Sequence, residues 1–599
     1  IKEIYFMAIS DTGSNYQFFD KKIVHHPPRS KFDLTHLHST TAFFGDLFPI
    51  YWSYTLPDSD YKLSIDSLVR CQSFEVPLMS RIRMFVHGYH VPLSVLWKGA
   101  QNFFNTSQNL VFGAQVQSLF TKPTMPRYKA SSEELVTNHS LANYLGLPIG
   151  FDLQDTEDCF ISALPFFAYA SIVKHYENNR WLQNATEQKK FYTQDEDAWR
   201  LPATGFSGTE FENPEFVGSK ISLNKLYNRY YANDYFQSAR PSPMAGNPPS
   251  VDYDLNGPID ISGLRVTAMS TPYPTGNTAE GYVSSLENTW DSSPYDKVIM
   301  SRMVRDTTTG IYQLGIQSHD DENAYPFTIL NKNAAPGQLG TLSLAGVSLS
   351  LTYNMLRELD YATHELEIKN RLDGTYTEFI QAFFGDRPSH ADKFKPIYIG
   401  GTYAPIVVSE VLQTSATAAG STPLGASAGH GISSNSGYIG RFHSDDFGIL
   451  MLVASFVPDT MYKTGIERKW SYSLQEEFPI DERVKLGPQA ILNKEIFAFG
   501  ANPNGLFAYQ DRFDEWRYEQ NVVTGYLADS SESSYAPYTQ VREFSTQPTF
   551  SDSTFRLSSQ NVNRDFLTSH DDPPFICQFA VRESAILPLP YHAIPGGLS

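Results

Sequence analysis

The sequence predicts a mainly β protein, built as one β-sandwich or barrel that carries a very long insertion between its early and its late strands. Three observations support this fold class. Strand-like segments cluster at the two ends of the chain, and most helix-like segments lie between them. Aromatic residues make up 14% of the 599 residues, and Gly and Pro number 38 and 37. Only 19% of the residues are charged, so the composition is that of a turn-rich and aromatic-rich β architecture.

The strand signals are runs of aromatic and β-branched residues that are bounded by Pro or Gly. Two early runs occupy 43–52 and 83–91, and three late runs occupy 405–412, 448–457 and 575–581. The run at 448–457 is almost wholly apolar, but it is about half as long as a helix that crosses a bilayer. It therefore predicts a buried strand, and no membrane insertion is expected.

Two segments in the middle of the chain carry helix signals. Pro165 is well placed as a first helical residue, and the apolar residues from Phe166 to Tyr176 recur every three or four positions on one face. A longer helix is predicted over 353–371, where Asp373-Gly374 ends the apolar stripe. A β domain plus a separate α domain would produce much the same order of segments, so both arrangements stay open.

Composition and charge exclude several classes of protein. Hydrophobic residues make up 41% of the chain, which is far from the signature of disorder, and no heptad repeat indicates a coiled coil. The start of the sequence lacks the pattern of a secretory signal, so nothing marks export. The three cysteines, Cys71, Cys159 and Cys577, are predicted to be small core residues in a reducing compartment.

No motif predicts catalysis. The Gly-rich run at 423–431 lacks the Lys-Ser/Thr of a phosphate-binding loop and is expected to be a surface loop. No Gly-x-Ser-x-Gly elbow is present. The close histidine pairs, such as His87 with His90, have no third ligand at a diagnostic spacing, and packing is favoured over a metal site. If His87 and His90 share one strand, they point to opposite faces.

Three clusters join a histidine to two or three acidic residues, at 319–322, 443–446 and 570–572. Oxygen-rich loops of this kind can hold a structural Ca²⁺ ion, but none of the three completes a calcium-loop pattern. Solvated turns are the favoured interpretation, with structural Ca²⁺ as the alternative, and no other cofactor is predicted.

A series of short motifs resembles the major capsid protein of the Microviridae, the small tailless single-stranded DNA bacteriophages, and in particular their gokushovirus-like branch. Each motif is weak alone, but together they follow in one order over roughly residues 29–527. The early motifs are RSKFDLTH at 29–36, FPI at 48–50, LPD at 56–58, MFVHGYHVP at 84–92, LW at 96–97, NYLGLP at 143–148, LPFFAY at 164–169 and DYFQSA at 234–239. The later ones are YTEFI at 376–380, FG at 384–385, YIGG at 398–401, QTS at 413–415, GIERKW at 465–470, NKEIF at 493–497, FAYQ at 507–510 and WRY at 516–518.

Two departures mark the chain as a divergent branch of the family it resembles. After Ala239 the family usually has a Pro-Gln-Lys-Gly-like turn, whereas this chain continues with RPSPMAG at 240–246. At 372–374, Leu-Asp-Gly stands where the family has a Gly-Gly pair. The details of the insertions are therefore expected to differ from those of its relatives.

The resemblance implies a single jelly roll of eight antiparallel strands with long helical and loop insertions. It also implies a structural subunit without enzymatic activity, which assembles with itself through pentamers into a T=1 icosahedral shell around circular single-stranded DNA. The expected location is the virion, after assembly in the cytoplasm of a bacterial host. Further expected partners are a small basic DNA-binding protein, a minor capsid or pilot protein, a scaffolding protein and a host surface receptor.

The domain organisation expected from this resemblance has an N-terminal arm at 1–40 and one jelly-roll domain at 41–599, with a large insertion at about 100–395. Within the insertion, about 245–345 is the candidate for a variable surface protrusion that contacts the host. Residues 251–330 hold four basic and eleven acidic residues among many Pro, Gly, Ser and Thr, as expected for a solvated segment. The candidate host-contact residues are Asp291, Asp296, Asp320, Asp321 and Glu322.

The net charge of −19 bears on assembly and on DNA binding. About sixty such subunits would repel one another unless their charges are screened, paired or outward-facing, so adhesion is expected from apolar and aromatic contacts. DNA must then meet a local basic patch or a separate basic protein. The candidate patch is Lys21, Lys22, Arg29 and Lys31 beside aromatic residues. The alternative for the N-terminal segment is an arm that only links neighbouring subunits.

The rival function for the whole chain is a carbohydrate-binding or carbohydrate-active β-sandwich.

Overall fold

The chain forms two compact units, one of residues 1–245 with 366–599 and one of residues 246–365. The computed structural model describes 27–74, 76–105, 123–154, 160–249 (except 180, 183, 184 and 194), 353–372, 376–385, 395–412, 427–529, 535–557 and 572–592, together with seven short strands named below.

Nine strands of the first unit join in one curled antiparallel sheet. In chain order they are β1 (Ser30–Asp33), β2 (His36–Ala42), β3 (Phe48–Thr55), β4 (Ser59–Cys71), β5 (Ile82–Pro92), β6 (Ile397–Leu412), β7 (Ser427–Ser444), β8 (Gly448–Pro458) and β9 (Phe575–Leu587).

The strand order interleaves the two ends of the chain. One side of the sandwich has the order β2-β9-β4-β7, and the other has the order β3-β8-β5-β6. Strands β6 and β7 pair at Val407–Leu412 and join the two sides, while the short β1 pairs with β9 beyond β2. Early and late strands thus alternate across both sides, which is the arrangement of an eight-stranded jelly roll. The predicted fold class is confirmed.

The inner faces of the two sides enclose the first core. Phe48, Leu63, Phe456 and Phe575 are all fully buried in it. The rings of Phe456 and Phe575 stack with centroids 4.0 Å apart, so strands that are more than a hundred residues apart in sequence meet at the centre of the sandwich.

Strand β8 is buried along its whole length because both of its faces are covered. Leu450 and Leu452 point into the first core, whereas Ile449 and Met451 point outward into a second core. A strand that is buried on both faces needs a continuous apolar run instead of alternation. This explains the apolar segment from which a buried strand was predicted.

The second core lies between the outer face of β5 and β8 and the insertion that follows β5. Its centre is helix α1 (Leu164–Tyr176), which begins next to Pro165 as predicted. The sequence predicted one apolar face, but ten consecutive residues from Leu164 to Val173 are buried. The helix is enclosed on all sides because sheet residues pack against one side and Trp199 and Phe211 against another.

A third core joins the segment after Tyr230 to the chain between β8 and β9. It includes the DYFQSA motif at 234–239, where the buried carboxylate of Asp234 accepts hydrogen bonds from the backbone N–H groups of Phe236 and Gln237. Its other oxygen accepts a hydrogen bond of 2.6 Å from the hydroxyl of Tyr462. This motif is therefore a structural turn.

The long helix Tyr353–Arg371, whose bounds agree with the prediction, begins in the second unit and ends in the first. The remaining elements of the first unit are short. The other helices are Leu93–Leu96, Ala100–Asn105, Leu141–Tyr144, Ala185–Phe191, Glu196–Ala198, Tyr376–Phe384, Arg468–Ser471, Gln475–Glu477, Asp481–Val484, Asn493–Ile496, Asp514–Trp516, Gly525–Ala528, Ala536–Tyr538 and Asp552–Phe555. The other strands are Val111–Phe112, Gln115–Val116, Arg127–Tyr128, Ser207–Gly208, Glu210–Glu212, Lys220–Ser222, Met461–Tyr462, Gln489–Leu492, Leu506–Gln510 and Val541–Arg542.

The second unit contains a five-stranded antiparallel sheet of its own. Its strands, in chain order, are Val266–Ala268, Tyr282–Val283, Ile299–Arg305, Tyr312–Gln317 and Ala324–Ile329. The last strand pairs with both the first and the fourth, so local hairpins and one longer connection complete this sheet.

Candidate nucleic-acid interface

The outer face of the β2-β9-β4-β7 side carries partly or largely exposed side chains, unlike the outer face of β5 and β8. Strands alternate their side chains between two faces, so each outward position on β4 is flanked by outward positions on β7 and β9. Arg70, for example, lies between Ile432 and Ile576, and Ser64 lies between Tyr438 and Arg582. We call this surface the open sheet face.

The open sheet face is rich in hydroxyl groups and cations. Its outward residues include five cations and three carboxylates, which gives it a local net charge of about +2 at pH 7 although the whole chain has −19. The cations are Lys31, Lys62, Arg70, Arg441 and Arg582, and the carboxylates are Asp33, Asp60 and Asp66.

Two of the arginines are paired on this face. Arg582 forms an ion pair with Asp66, and a guanidinium nitrogen of Arg441 lies 3.6 Å from Asp60. Among the residues that the structure describes, Lys62 and Arg70 have no carboxylate within ion-pair distance and both are exposed. These two cations are therefore available to phosphate groups.

The structure separates the two predicted DNA-binding residues that it describes. Lys31 lies on β1 opposite Ile586 and belongs to the open sheet face. Arg29, in contrast, pairs with Asp58 at 3.3 Å and with Asp60 at 2.9 Å, so its charge is already balanced. Lys21 and Lys22 lie outside the described residues, and their role stays a prediction.

Asp60 is the centre of a charged cluster at one end of the open sheet face. Partial burial raises its pKa, but the hydrogen bond and charge of His443, with Arg441 and Arg29, outweigh this effect and hold the pKa below its usual value. The imidazole Nδ1 of His443 lies 3.2 Å from this carboxylate, and its Nε2 lies 3.2 Å from Asp445. The cluster thus fixes the end of β7 against the start of β4.

The predicted calcium and histidine sites have different outcomes in the structure. In the 443–446 cluster, Asp446 accepts a hydrogen bond from the backbone N–H of Phe447, as expected in a turn. The 319–322 cluster lies outside the described residues, and of the 570–572 cluster only Asp572, which is exposed, lies within them. His87 and His90 share β5 and point to opposite faces, beside Tyr398 and Thr55 respectively. Within the described part of the chain, no three His, Cys, Asp or Glu residues come together as a metal site.

The five predicted host-contact residues, Asp291, Asp296, Asp320, Asp321 and Glu322, lie outside the described residues. Of the cysteines, Cys71 and Cys577 are buried free thiols in the first core, as predicted. Cys159 also lies outside the described residues.

Sequence reasoning missed Lys62 and Arg70 because strand β4 was not predicted, and it missed Arg582 because the run predicted at 575–581 ended one residue before it on β9. The signal was present, since Tyr61, Leu63 and Ile65 alternate with polar residues and the pattern continues to Cys71. A period-two search over 59–71 would have found this half-buried strand and, with it, the polar face.

Comparison with known proteins completes this description. A family model described as "Capsid protein (F protein)" matches residues 23–596. Capsid protein VP1 of Chlamydia phage 1 is 26% identical over 599 residues, covering 95% of each chain. The VP1 proteins of Spiroplasma virus 4 and Bdellovibrio phage phiMH2K are each 23% identical and cover 95% of this chain and 96% of their own. None of the described helices combines the length and apolar character that crossing a membrane requires.

Proposed function

The chain belongs to the capsid protein (F protein) family and is a major capsid protein of the virion, and we propose that about sixty copies build a T=1 icosahedral shell through pentamers. The shell encloses circular single-stranded DNA. The family match over residues 23–596, together with the interleaved strand order of the jelly roll, is the observation that carries the proposal. The three relatives described above are capsid proteins, and none of them supports the carbohydrate-binding alternative.

Imaging of the expressed protein tests the shell. Uniform closed particles in negative stain, with sixty copies by mass measurement, are expected when the subunits are concentrated in the presence of single-stranded DNA. Persistent monomers that bind or hydrolyse glycans would contradict the shell and favour the rival function.

The open sheet face supports a direct role in DNA contact. Lys31, Lys62 and Arg70 present cations to the phosphate backbone, and the exposed ring of Tyr438 between them offers a surface on which a base can stack. Lys21 and Lys22 would extend this patch from the N-terminal arm. Because the net charge of +2 is small, a small basic DNA-binding protein is proposed to neutralise most of the packaged phosphate.

Charge reversal on this face is expected to weaken DNA binding. The double variant Lys62→Glu with Arg70→Glu removes two phosphate contacts, so the slope of log K against log salt for a single-stranded poly-dT oligonucleotide should become less steep by about 1.4. Fluorescence anisotropy at several salt concentrations measures this slope.

The matched control is Lys98→Glu with Lys225→Glu, which changes the net charge equally at two exposed lysines of the insertion after β5. This control should keep the wild-type slope. Equal slopes for the two double variants would show that only net charge matters, and the open sheet face would then have no special role.

The other expected partners are part of the same proposal. A minor capsid or pilot protein, a scaffolding protein and a host surface receptor would act on the shell, and assembly would take place in the bacterial cytoplasm. The subunit itself has no catalytic role in this scheme and uses no cofactor.

The second compact unit, residues 246–365, supports the proposal of a surface protrusion. It contains its own five-stranded sheet, so a long insertion is accommodated without breaking the strand order of the jelly roll. Its sequence between 251 and 330 is the most acidic stretch noted above. We propose that it contacts the host through Asp291, Asp296 and the acidic residues at 320–322.

Deleting 251–330 is expected to leave pentamers intact and to reduce adsorption to host cells at least tenfold. The deletion removes every strand of the second sheet and none of β1–β9. Sedimentation measures the pentamer, and counting unadsorbed particles measures attachment. Loss of the soluble fold on deletion would contradict the proposed protrusion. Replacing the five acidic residues with Asn or Gln tests their contact with the host without a deletion.

A further inference from the structure

The chain between β8 and β9 contains a long segment that has no core of its own and exposes many apolar side chains. From Lys463 to Pro488 not one residue is buried, although Tyr462 and Gln489 on either side are. We call these residues the 463–488 segment. Its exposed large apolar side chains are Ile466, Trp470, Leu474, Phe478, Ile480, Val484 and Leu486.

The exposure of these side chains is large. Trp470 is 83% exposed and Leu486 is 68% exposed. If a fully exposed residue of this size presents about 200 Å², the seven side chains present on the order of 700 Å² of surface. A standard protein–protein interface buries about 800 Å² on each partner, so these side chains are enough to supply most of the surface that one partner contributes.

The segment is held in place by a polar anchor at its base. The guanidinium of Arg468 donates hydrogen bonds to the carbonyl of Ala490 at 2.6 Å and to Glu495 at 3.3 Å. Tyr472 donates to Glu515 at 2.6 Å, and Trp516 donates to the hydroxyl of Tyr472 at 2.9 Å. The backbone is therefore ordered before any partner arrives, which reduces the entropic cost of binding.

The charge of the segment distinguishes between kinds of partner. It holds five basic and five acidic residues, so it is neutral in a chain of −19. Three of its cations are already occupied, because Lys463 pairs with Glu543, Lys469 with Glu519, and Arg468 with buried carboxylates. A phosphate backbone has little to bind here. Two acidic subunits, however, can approach at a neutral surface with little repulsion.

We infer that the 463–488 segment is a contact between neighbouring copies of this chain, with Trp470 as its main anchor residue. The inference rests on the proposed shell, since it identifies the surface through which subunits adhere. Trp is a typical dominant residue at interfaces because it removes a large rigid apolar surface from water on association. The two ends of the segment are fixed in the third core, so assembly requires no refolding of the jelly roll.

The test combines one substitution with a footprint of the natural protein. Trp470→Asp places a charge at a side chain that is exposed in the free subunit. Val217→Asp does the same at an apolar residue that is 93% exposed, on a turn of the insertion that follows β5. Both variants should unfold at the wild-type temperature. Particle yield, measured by sedimentation and negative stain, should fall at least tenfold for Trp470→Asp and stay within twofold for Val217→Asp.

Hydroxyl-radical footprinting of wild-type free subunits and particles supplies the second measurement. Oxidation of Trp470 should fall at least fivefold in particles. A wild-type particle yield from Trp470→Asp would overturn the inference, and so would an equal loss of yield from both variants. Unchanged oxidation of Trp470 in particles would also overturn it and would indicate that the segment binds a receptor instead. Failure of the wild-type protein to form particles would instead contradict the proposed shell.

Discussion

Replacing Arg468 with methionine is expected to lower the free energy of unfolding by about 3–5 kcal/mol. The arginine is the cation beside two buried carboxylates, with Glu495 at 3.3 Å and Glu515 at 3.7 Å. Methionine keeps most of the side-chain volume but leaves both carboxylates without an ion-pair partner among the described residues. Burial already raises the pKa of Glu495, and loss of the guanidinium raises it further.

Urea denaturation followed by tryptophan fluorescence measures this effect, because Trp470 and Trp516 lie near the anchor. The conservative control Arg468→Lys keeps the charge and should lose less than half as much. Adding Glu495→Gln and Glu515→Gln to the methionine variant removes the buried charge and should recover much of the loss. A methionine variant as stable as the wild type would show that the carboxylates are neutral and need no cation.

Replacing Asp46 with asparagine is expected to make the protein more stable at pH 8, with a smaller gain at pH 5 and little change near pH 3.5. Asp46 is only 3% exposed in the turn between β2 and β3, and burial raises its pKa to about 7. Among the residues that the structure describes, its ion-pair partner is the imidazole of His139, 3.4 Å away, whose own pKa burial lowers. This part of the chain therefore gives the carboxylate no permanent counter-charge within ion-pair distance.

The direction of the effect follows from proton binding. Between pH 4 and pH 7 the folded state keeps the proton of Asp46 and the unfolded state has lost it, so this group's contribution to stability falls as pH rises through 7. A shift of about three pKa units corresponds to about 4 kcal/mol. Asparagine cannot ionise, so the gain over wild type should grow between pH 5 and pH 8 in denaturation experiments.

The exposed Glu133 provides the control for Asp46, since Glu133→Gln also replaces one carboxylate by an amide but does so at the surface. A constant difference between Asp46→Asn and wild type across this pH range would show that the Asp46 carboxyl does not titrate there.

Local patterns were enough to predict the elements with the strongest signals. Strand β8 was predicted because a strand buried on both faces has a continuous apolar run. The 353–371 helix was predicted because its apolar residues recur every three or four positions. Strand β4 was missed although it alternates over thirteen residues, since Ser67 interrupts the apolar positions and few aromatics mark it. Helix α1 was predicted at the right place but with the wrong environment, because enclosure depends on what surrounds it.

The candidate site shows the same division. Arg29 and Lys31 look equivalent in sequence, two residues apart and both basic. In the structure Arg29 is balanced by Asp58 and Asp60, which belong to another strand and its preceding turn, whereas Lys31 shares a face with Lys62. Side-chain pairing across strands is set by register, which local sequence does not encode.

By itself the sequence determined the mainly β class, the buried character of β8 and, through ordered motifs, the resemblance to a capsid family. These properties follow from composition, from short-range periodicity and from residues that recur in one order. The tertiary structure decided which strands alternate across the sandwich, which cations stay unpaired on the open sheet face, and that the 463–488 segment exposes its apolar side chains. Each of these depends on contacts between residues tens to hundreds of positions apart, where burial and charge compensation are properties of the folded chain and not of any one segment.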